Sequence, residues 1–583
     1  MTDLLPRAAA WRDADPDPQT RAEIDQLLAS GDTAGLAERF EGELAFGTAG
    51  IRAEIGAGPM RMNRMVVGRV AAGLARYIAS SDPSAASVVI GYDGRTNSAV
   101  FAQDLGRILS RAGVAVSMLP GPLPTPVLAF SVRDRHAAYG LMVTASHNPR
   151  QYNGIKVYER DGGQLLPPRD EQIAAAIDAT DPLHLPHGWS EGSFDFTPAD
   201  DSVADYVTAV AADRGPDPDA VRLKVVHTAL HGVGDGTLRA VFAKAGWPDP
   251  IPVVAQQQPD PHFPTAHYPN PEEPGVLDLA ARTAAEVGAD LVLANDPDAD
   301  RLAVMVPDGG AWRALTGDEL GILFGDAVLT RDIPPSGVVA TTVVSGSLLR
   351  HMSNVTGVRC VTTLTGFKWI ARAGGDDHTL VYGYEQALGY AVRPDLVADK
   401  DGISAALLAL RIATVLAGAG QSLTDRLDDI YLANGLHVTG LRTLQGDLSR
   451  LNDAVESLRK APPRQLAGRP LTVTDLEGGP PGVGPGVGPG VVDLAGGHAE
   501  RSPDQPLPSS DVLIWRLGTE HPGDGARVMI RPSGTEPEIK VYAEVASRVS
   551  DRSSLAAAKE SAAALVDELL AATAATLEPG DKS

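Results

Sequence analysis

Three aspartates alternate with other residues in one short segment, Asp296-Pro-Asp-Ala-Asp-Arg301, between the predicted strands Asp290–Ala294 and Leu302–Val306. Carboxylates at alternate positions of a turn can surround one hard cation with oxygen ligands. An EF-hand calcium loop is excluded, because its sixth and twelfth positions hold Arg301 and Pro307 instead of glycine and glutamate. Three carboxylates that leave room for water and a phosphate oxygen suit Mg²⁺. An acidic surface turn is the alternative explanation.

A serine lies in the segment Thr144-Ala-Ser-His-Asn-Pro149, directly after the predicted strand Tyr139–Thr144. Pro149 disfavours helical backbone at the preceding residue, which keeps this strand-end loop open. Ser146 is therefore a candidate nucleophile, although a turn serine is the commoner explanation when the segment is considered alone. A hydrolase triad is not supported, because the Gly-x-Ser-x-Gly elbow is absent. Downstream, Asn153–Lys156 predicts a tight turn that returns Lys156 toward the loop.

Two further loops have the composition of phosphate-binding segments. Arg531–Pro537 (RPSGTEP) combines a guanidinium, two hydroxyls and backbone N–H groups around Gly534. Gly47–Arg52 (GTAGIR) is a flexible loop that ends in a guanidinium, and no Walker A loop occurs. Gly232–Gly236 (GVGDG) departs from the spacing of a dinucleotide-binding loop and is interpreted as a plain strand-to-helix turn.

The elements that must position these loops alternate between short β-branched runs and Ala-rich helical patterns, which indicates α/β architecture. Three such sets begin at the predicted strands Ser87–Gly91, Leu223–Thr228 and Gly337–Val344. The last segment differs: three predicted strands precede an Ala-rich helix from Ser554 to about Thr573, which indicates a smaller α+β domain. A Gly-Val-Gly-Pro repeat between residues 477 and 497 cannot bury a core and is interpreted as a mobile loop or insertion.

Length and charge set limits on the function. The 583 residues correspond to roughly four domains of about 150 residues each. The formal net charge of −24 argues against general binding to nucleic acid or to an anionic membrane, because both need a basic surface. An anionic substrate would therefore need local positive charge.

The remaining sequence features predict a cytoplasmic protein. Cys360 is the single cysteine, which excludes an internal disulfide, and its apolar surroundings indicate a buried structural thiol. The amino-terminal segment has no apolar core of signal-peptide length. The most membrane-like stretch, Ile403–Gly420, contains Arg411 and is interpreted as a buried helix.

Together these loops resemble those of the α-D-phosphohexomutase family, in the same order along the chain. The resemblance rests on Gly47–Arg52, on Thr144–Pro149 with Asn153–Lys156, on Asp296–Arg301 and on Arg531–Pro537. Residues 365–369 and 383–389 resemble third-domain segments of the phosphoglucomutase and phosphopentomutase branch. The resemblance implies three similar mixed α/β domains and a smaller carboxyl-terminal α+β domain around a central cleft. Their expected ranges are residues 1–205, 206–312, 313–430 and 431–583.

The resemblance also implies a mechanism. Ser146 would be carried as phosphoserine, and Mg²⁺ would bind one phosphoserine oxygen together with Asp296, Asp298 and Asp300. A sugar monophosphate would accept the phosphoryl group, and the resulting sugar 1,6-bisphosphate would reorient and return its other phosphoryl group to the serine. Arg52, Lys156 and His147 would stabilise charge or move a proton. The non-reacting phosphate and the sugar hydroxyls would be bound by Arg301, Lys368, Glu385, Arg531, Ser533, Gly534 and Thr535.

The implied activity is a phosphosugar mutase with glucose 1-phosphate and 6-phosphate as the leading pair. Phosphosugars are its expected small-molecule partners, and no partner nucleic acid or membrane is expected. Many glucose-specific members carry Glu-Ser where this chain has Gln386-Ala387, so mannose and pentose phosphates remain alternatives. A hydrolase and a non-catalytic sugar-phosphate binder are the alternatives from other classes. A second phosphate site at Arg531–Thr535 favours the mutase over the hydrolase, because a hydrolase needs no such site.

Overall fold

The structure, a computed structural model, describes residues 4–47, 50–81, 86–185, 192–212, 215, 217, 221–476, 511–518, 525–532 and 538–577. The Gly/Pro-rich segment predicted between residues 477 and 497 lies outside the described residues. The chain divides into two compact units, one formed by residues 1–314 and 389–414 and the other by residues 315–388 and 415–583.

The first unit begins with three helices, α1 (Leu4–Ala14), α2 (Pro18–Ser30) and α3 (Thr33–Phe40). The carboxylate of Asp17 accepts a hydrogen bond from the first turn of α2, and left-handed Gly31 ends that helix. Trp11 and Phe40 pack edge to face with their ring centroids 6.1 Å apart, which fixes α1 against the end of α3.

A six-stranded mixed sheet follows in the order β1-β5-β4-β2-β3-β6, in which β2, β3, β4 and β6 run parallel and β5 is antiparallel to β4 and β1. Its strands and helices are β1 (Ile51–Glu54), α4 (Arg64–Ser81), β2 (Ser87–Tyr92), α5 (Ser98–Arg111), β3 (Ala115–Pro122), α6 (Thr125–Asp134), β4 (Tyr139–Val143), β5 (Tyr152–Glu159), α7 (Arg169–Asp178), β6 (Thr197–Pro198) and α8 (Ser202–Ala211). The central strands carry apolar residues on both faces because helices cover both sides.

A second sheet of the first unit has the order β11-β10-β9-β7-β8. Its elements are β7 (Val225–Thr228), α9 (Gly234–Lys244), β8 (Ile251–Pro252), α10 (Asp278–Val287), β9 (Leu291–Asn295), β10 (Leu302–Asp308) and β11 (Ala311–Ala314). β7, β8 and β9 run parallel, so the loops that follow β7 and β9 leave the same edge of the sheet.

The second unit contains a parallel arrangement β13-β12-β14. Its elements are α11 (Gly317–Leu329), β12 (Gly337–Thr342), α12 (Leu348–Thr356), β13 (Arg359–Thr363), α13 (Phe367–Ile370) and β14 (Thr379–Glu385). A capping box between Thr316 and Glu319 starts α11. Cys360 lies on β13, where burial raises the pKa of its thiol to about 12 and disfavours a reactive thiolate.

After β15 (Gly389–Ala391) in the first unit, α14 (Gly402–Gly418) leads back into the second unit and to α15 (Leu423–Asn434). The carboxyl-terminal domain is an antiparallel sheet in the order β16-β21-β20-β19-β18-β17, packed on its last helix. Its elements are β16 (Leu436–Gln445), α16 (Leu448–Lys460), β17 (Gln465–Leu466), β18 (Arg469–Asp475), β19 (Leu513–Leu517), β20 (Gly525–Pro532), β21 (Glu538–Ser547) and α17 (Arg552–Leu577).

The predicted fold class is confirmed: three mixed α/β domains precede a smaller α+β domain. The predicted strands and helices agree with the structure to within a few residues at their ends. Among the described helices, none alone has the length and apolar composition to span a membrane, and α14 with α15 meets that test only as a pair bent by 86°.

Candidate functional site

The aspartate loop (residues 296–301) connects β9 to β10 within the first unit. Asp296, Asp298 and Asp300 are all at most 1% exposed, so three carboxylates are buried within five residues. Ala299 adopts left-handed backbone with φ 55°, and its N–H donates to the carbonyl of Asp296 over 2.9 Å. This tight turn points alternate side chains to one side of the loop.

Close packing by glycine holds the aspartate loop in place. A Cβ at Gly232, in the loop between β7 and α9, would lie 2.3 Å from the backbone of Pro297, so only glycine fits there. The Asn295 side chain donates to the carbonyl of Arg301 over 2.7 Å and closes the loop across its base. The predicted strand-to-helix turn is present: the chain turns at Gly232 and α9 begins at Gly234. Gly232 also supports the neighbouring aspartate loop.

The serine loop (residues 144–152) follows β4, and its serine meets the aspartate loop. Ser146 is 3% exposed and adopts left-handed backbone with φ 52°. Its Oγ donates to Oδ2 of Asp296 over 3.0 Å and lies 3.2 Å from Nδ1 of His147. The nucleophile candidate, an imidazole and a buried carboxylate are therefore in direct contact, although 150 residues separate Ser146 from Asp296.

Two lysines supply positive charge to the buried carboxylates. Nζ of Lys156, on β5, lies 2.7 Å from Asp298 Oδ2 and 2.8 Å from Asp300 Oδ2. Nζ of Lys400 lies 3.1 Å from the same oxygen of Asp300. The hydroxyl of Thr125 donates to Asp298 Oδ2 over 2.6 Å. These contacts offset much of the cost of burying three neighbouring carboxylates.

The charge balance differs among the three aspartates. Burial raises the pKa of Asp296 well above its usual range, and repulsion from Asp298 and Asp300 adds to that shift. Burial also opposes ionisation of Asp300, but Lys156, Lys400 and Arg301 hold its pKa below the usual range. Asp298 has a lowered pKa as well, because contacts with Lys156 and Thr125 outweigh burial and repulsion from Asp300. Additional positive charge beside Asp296 would favour its ionised form.

The donor set fits a hard divalent cation. One carboxylate oxygen from each of the three aspartates lies within 4.8 Å of the others. Oδ1 of Asp298 and Oδ1 of Asp300 are buried and have no hydrogen-bond partner among the described residues. Buried acceptors of this kind are costly unless a ligand satisfies them, and oxygen-only donors suit Mg²⁺. These three residues would hold such an ion.

Other predicted site residues of the first unit lie beside these loops. Arg52 on β1 donates to the side chain of Asn148 in the serine loop over 2.7 Å, which links its guanidinium to that loop. Thr48 and Ala49, in the predicted glycine loop before it, lie outside the described residues. Arg301 lies 3.3 Å from a carboxylate oxygen of Glu272.

The remaining predicted residues belong to the second unit. Lys368 and Glu385 lie after β13 and at the end of β14, which run parallel, so both are at the carboxyl edge of that sheet. Nζ of Lys368 lies 4.8 Å from the ring centroid of Trp369. Arg531 is half-buried on β20. Ser533, Gly534 and Thr535 lie outside the described residues.

One local prediction was wrong. Asn153–Lys156 is not a tight turn but part of strand β5, and the turn precedes it, where the N–H of Tyr152 donates to the carbonyl of Pro149. Gly154 serves strand pairing instead: a Cβ there would lie 2.4 Å from the carbonyl oxygen of Ile51 on the neighbouring strand. The strand still directs Lys156 to the aspartate loop.

Sequence reasoning missed three residues of the site. Arg95 binds carbonyls of the serine loop, Thr125 binds Asp298, and Lys400 binds Asp300. Each had a local signal: Arg95 follows a strand end in Asp-Gly-Arg, Thr125 lies between two prolines at a helix start, and Lys400 lies between two aspartates before an apolar helix. None of these signals identifies the distant partner.

In a comparison with known proteins, four domain models of one family match most of the chain. Its models, described as phosphoglucomutase/phosphomannomutase, match as alpha/beta/alpha domain I at residues 43–184, domain II at 204–310 and domain III at 316–432. The C-terminal domain of the same family matches residues 519–560.

Similar individual proteins cover nearly the same length. A Haemophilus influenzae protein named "Probable phosphomannomutase" is 40% identical over 83% of this chain and 93% of its own. The phosphopentomutase of Mus musculus is 34% identical over 92% of this chain and 89% of its own. A solved phosphoglucomutase/phosphomannomutase family protein from Burkholderia thailandensis, 20% identical, covers 92% of this chain and 97% of its own with a TM-score of 0.64, which shows the shared fold.

We expect Lys156→Met to lower the free energy of unfolding by about 3–5 kcal/mol, because it leaves two buried carboxylates without their shared cation. Lys559→Met is the matched control: Lys559 pairs with Asp428, and the side chains are 40% and 24% exposed, so about 1 kcal/mol or less is lost. Urea unfolding of both variants measures the difference. Equal losses would contradict the charge balance described for the aspartate loop.

Proposed function

Because the chain belongs to the phosphoglucomutase/phosphomannomutase family, whose members are intramolecular phosphotransferases, we propose that Ser146 carries the transferred phosphoryl group between two positions of a phosphosugar. The observation that carries this proposal is the contact of Ser146 Oγ with the buried carboxylate cluster, 3.0 Å from Asp296. A serine hydroxyl buried beside three carboxylates and two lysines has little use in a sugar-binding protein without catalysis. The same grouping suits a site where a phosphoserine is formed and broken.

In the first half-reaction, the P–O bond to Ser146 breaks while a hydroxyl oxygen of the sugar phosphate forms a new P–O bond. The hydroxyl gives its proton to a base, and the serine oxygen takes up a proton as its bond to phosphorus breaks. The second half-reaction reverses these proton transfers when Ser146 accepts a phosphoryl group again. His147 lies 3.2 Å from Ser146 Oγ, which places its imidazole within reach of these proton transfers. Lys156 and Arg52 are proposed to stabilise charge on the transferring group.

Asp296, Asp298 and Asp300 are proposed to hold Mg²⁺ together with a phosphoserine oxygen. When bound, the ion would supply Lewis-acid polarisation of the phosphoryl group. The chain itself contributes carboxylate ligands that are shielded from solvent and held in place. All three carboxylates are buried, and Lys156 and Thr125 fix the orientation of Asp298.

The second half-reaction needs a sugar bisphosphate that presents its other phosphate to Ser146. The non-reacting phosphate and the sugar must then be bound by groups other than the serine loop. We assign this role to Arg301, Lys368, Glu385, Arg531, Ser533, Gly534 and Thr535. Sugar 1,6-bisphosphate is accordingly the proposed intermediate, and it would also rephosphorylate enzyme that has lost its phosphate to water.

We expect Ser146→Ala to abolish mutase turnover and to remove the phosphate detected on the wild-type enzyme by intact mass after incubation with glucose 1,6-bisphosphate and Mg²⁺. The reason is that the variant lacks the oxygen that accepts the phosphoryl group. A coupled assay from sugar 1-phosphate to the isomeric phosphate, primed with bisphosphate, measures turnover.

Ser131→Ala is the matched control, because Ser131 is also buried in the first unit and, among the described residues, its hydroxyl donates to the carbonyl of Val127 in its own helix. It should keep turnover and phosphorylation. Turnover by Ser146→Ala would overturn the proposal. Stoichiometric release of inorganic phosphate in place of isomerisation would favour the hydrolase instead.

The sequence resemblance puts glucose 1- and 6-phosphate first, with mannose and pentose phosphates as alternatives, and we propose a pentose 1- and 5-phosphate as the preferred pair. The pentose is favoured by the segment after Glu385. The side-chain oxygen of Gln386 accepts from the hydroxyl of Ser345 over 2.9 Å, so this acceptor is engaged by the protein, and Ala387 has no hydroxyl to offer. Fewer polar groups then remain for the hydroxyls of a hexose. The similar mouse protein is a phosphopentomutase.

With ribose 1-phosphate and glucose 1-phosphate compared in the same assay, we expect the wild-type enzyme to have the higher kcat/KM on the pentose. Ala387→Ser should raise kcat/KM on glucose 1-phosphate by about 2–10-fold, since one added hydrogen bond contributes about 0.5–1.5 kcal/mol. A wild-type preference for glucose 1-phosphate that Ala387→Ser leaves unchanged would refute the pentose assignment and favour the hexose.

A further inference from the structure

Arg95 is buried beneath the serine loop, and its guanidinium donates to backbone carbonyls of that loop. It follows β2 in the sequence Asp93-Gly94-Arg95, and its side chain is 1% exposed. Nη2 donates to the carbonyls of Ser146 over 2.6 Å and Asn148 over 2.5 Å. Nη1 donates to the carbonyls of Pro149 over 2.9 Å and Tyr152 over 3.2 Å. One side chain thus donates hydrogen bonds to four carbonyls between residues 146 and 152.

The guanidinium is itself fixed from behind. Asp93 is fully buried and its Oδ2 lies 3.4 Å from Nε of Arg95, while its Oδ1 accepts from the backbone N–H of Arg95 over 3.0 Å and from Ser98 over 2.6 Å. The ring of Phe263 lies 4.9 Å from the guanidinium carbon. Burial lowers the pKa of Arg95 to about 10, with Asp93 opposing that shift, so the side chain stays charged at neutral pH.

The serine loop needs such a support because its backbone is strained where the chemistry occurs. Ser146 adopts φ 52°, a left-handed conformation that non-glycine residues avoid unless their surroundings hold them there. If the loop relaxed, Ser146 Oγ would move away from Asp296. The two Nη2 contacts lie on either side of His147, so they fix both ends of the segment that carries the serine and the imidazole.

We propose that Arg95 is a positioning residue for phosphoryl transfer: by binding the carbonyls of residues 146, 148, 149 and 152, it holds the strained serine loop so that Ser146 Oγ stays aimed at the aspartate loop. This inference rests on the proposed role of Ser146 as the phosphoryl carrier. Arg95 acts through the backbone and does not contact the reacting atoms. The planar fork of a guanidinium is required, because an ammonium cannot reach four carbonyls arranged in this way.

The test compares Arg95→Lys with Arg107→Lys in the full-length enzyme. Arg107 also pairs with an aspartate, Asp104, and lies over an aromatic ring, Phe194, but none of its described contacts is with the serine loop. For Arg95→Lys we expect kcat to fall about 100-fold, the effect of a small misplacement of reacting groups, with KM for the sugar phosphate within about threefold. Arg107→Lys should keep both constants within about twofold of the wild type.

A readout on the serine separates positioning from general stability. Rapid-quench intact mass measures the rate at which glucose 1,6-bisphosphate phosphorylates Ser146. In Arg95→Lys we expect this rate to fall by the same factor as kcat. The melting temperature of the variant measures its folding separately. An unchanged phosphorylation rate would overturn the inference.

If Arg95→Lys does not fold, Phe263→Leu removes the ring beside the guanidinium and keeps its charge. It should lower kcat about 5–10-fold with KM unchanged, and an unchanged kcat would overturn the inference. The two proposals fail differently: absence of phosphoserine in the wild-type enzyme refutes the function of Ser146, whereas normal phosphorylation in the Arg95 variant refutes only the positioning role.

Discussion

The contact of Lys156 with Asp298 and Asp300 is the interaction on which the site depends. Three carboxylates within five residues are buried to 1% exposure or less, and a cluster of that charge is stable only when cations share its interior. Nζ of Lys156 supplies one charge to two of them within 2.8 Å, and Lys400 supplies a second to Asp300. Burial and repulsion from Asp298 and Asp300 raise the pKa of Asp296, the carboxylate that Ser146 contacts, so additional positive charge is needed to ionise it.

The surrounding fold places these charged residues next to one another. Lys156 reaches the aspartate loop because β5 pairs with β4, whose carboxyl end carries the serine loop. Gly232 allows a neighbouring loop to lie against Pro297, and Arg95 holds the serine loop from below. The net charge of −24 belongs to the whole chain and does not exclude local positive charge, since Lys156 and Lys400 lie beside the aspartate loop.

A residue of the candidate site could be predicted from the sequence when the residues it contacts lie close to it in the chain. The aspartate loop was predicted directly, because all its carboxylates lie in one turn, and the fold class followed from alternating strand and helix patterns. Lys156 was placed near the serine loop by a predicted tight turn, and the family resemblance supplied its role. The turn itself was wrong, because Asn-Gly is typical of turns and here pairs inside a strand. Arg95 and Thr125 were missed because their partners lie 51 and 173 residues away, a distance that no local pattern encodes.

The three buried aspartates are proposed to hold one divalent cation, which would add positive charge beside Asp296. Calorimetric titration of Mg²⁺ into the dephosphorylated enzyme tests it most directly, with Asp298→Asn as the site variant and Asp308→Asn, an exposed aspartate at the end of β10, as the control. We expect one ion per chain in the wild type and the control, and loss of binding in Asp298→Asn. Absence of binding to the wild type at millimolar Mg²⁺, or equal binding to all three proteins, would contradict it.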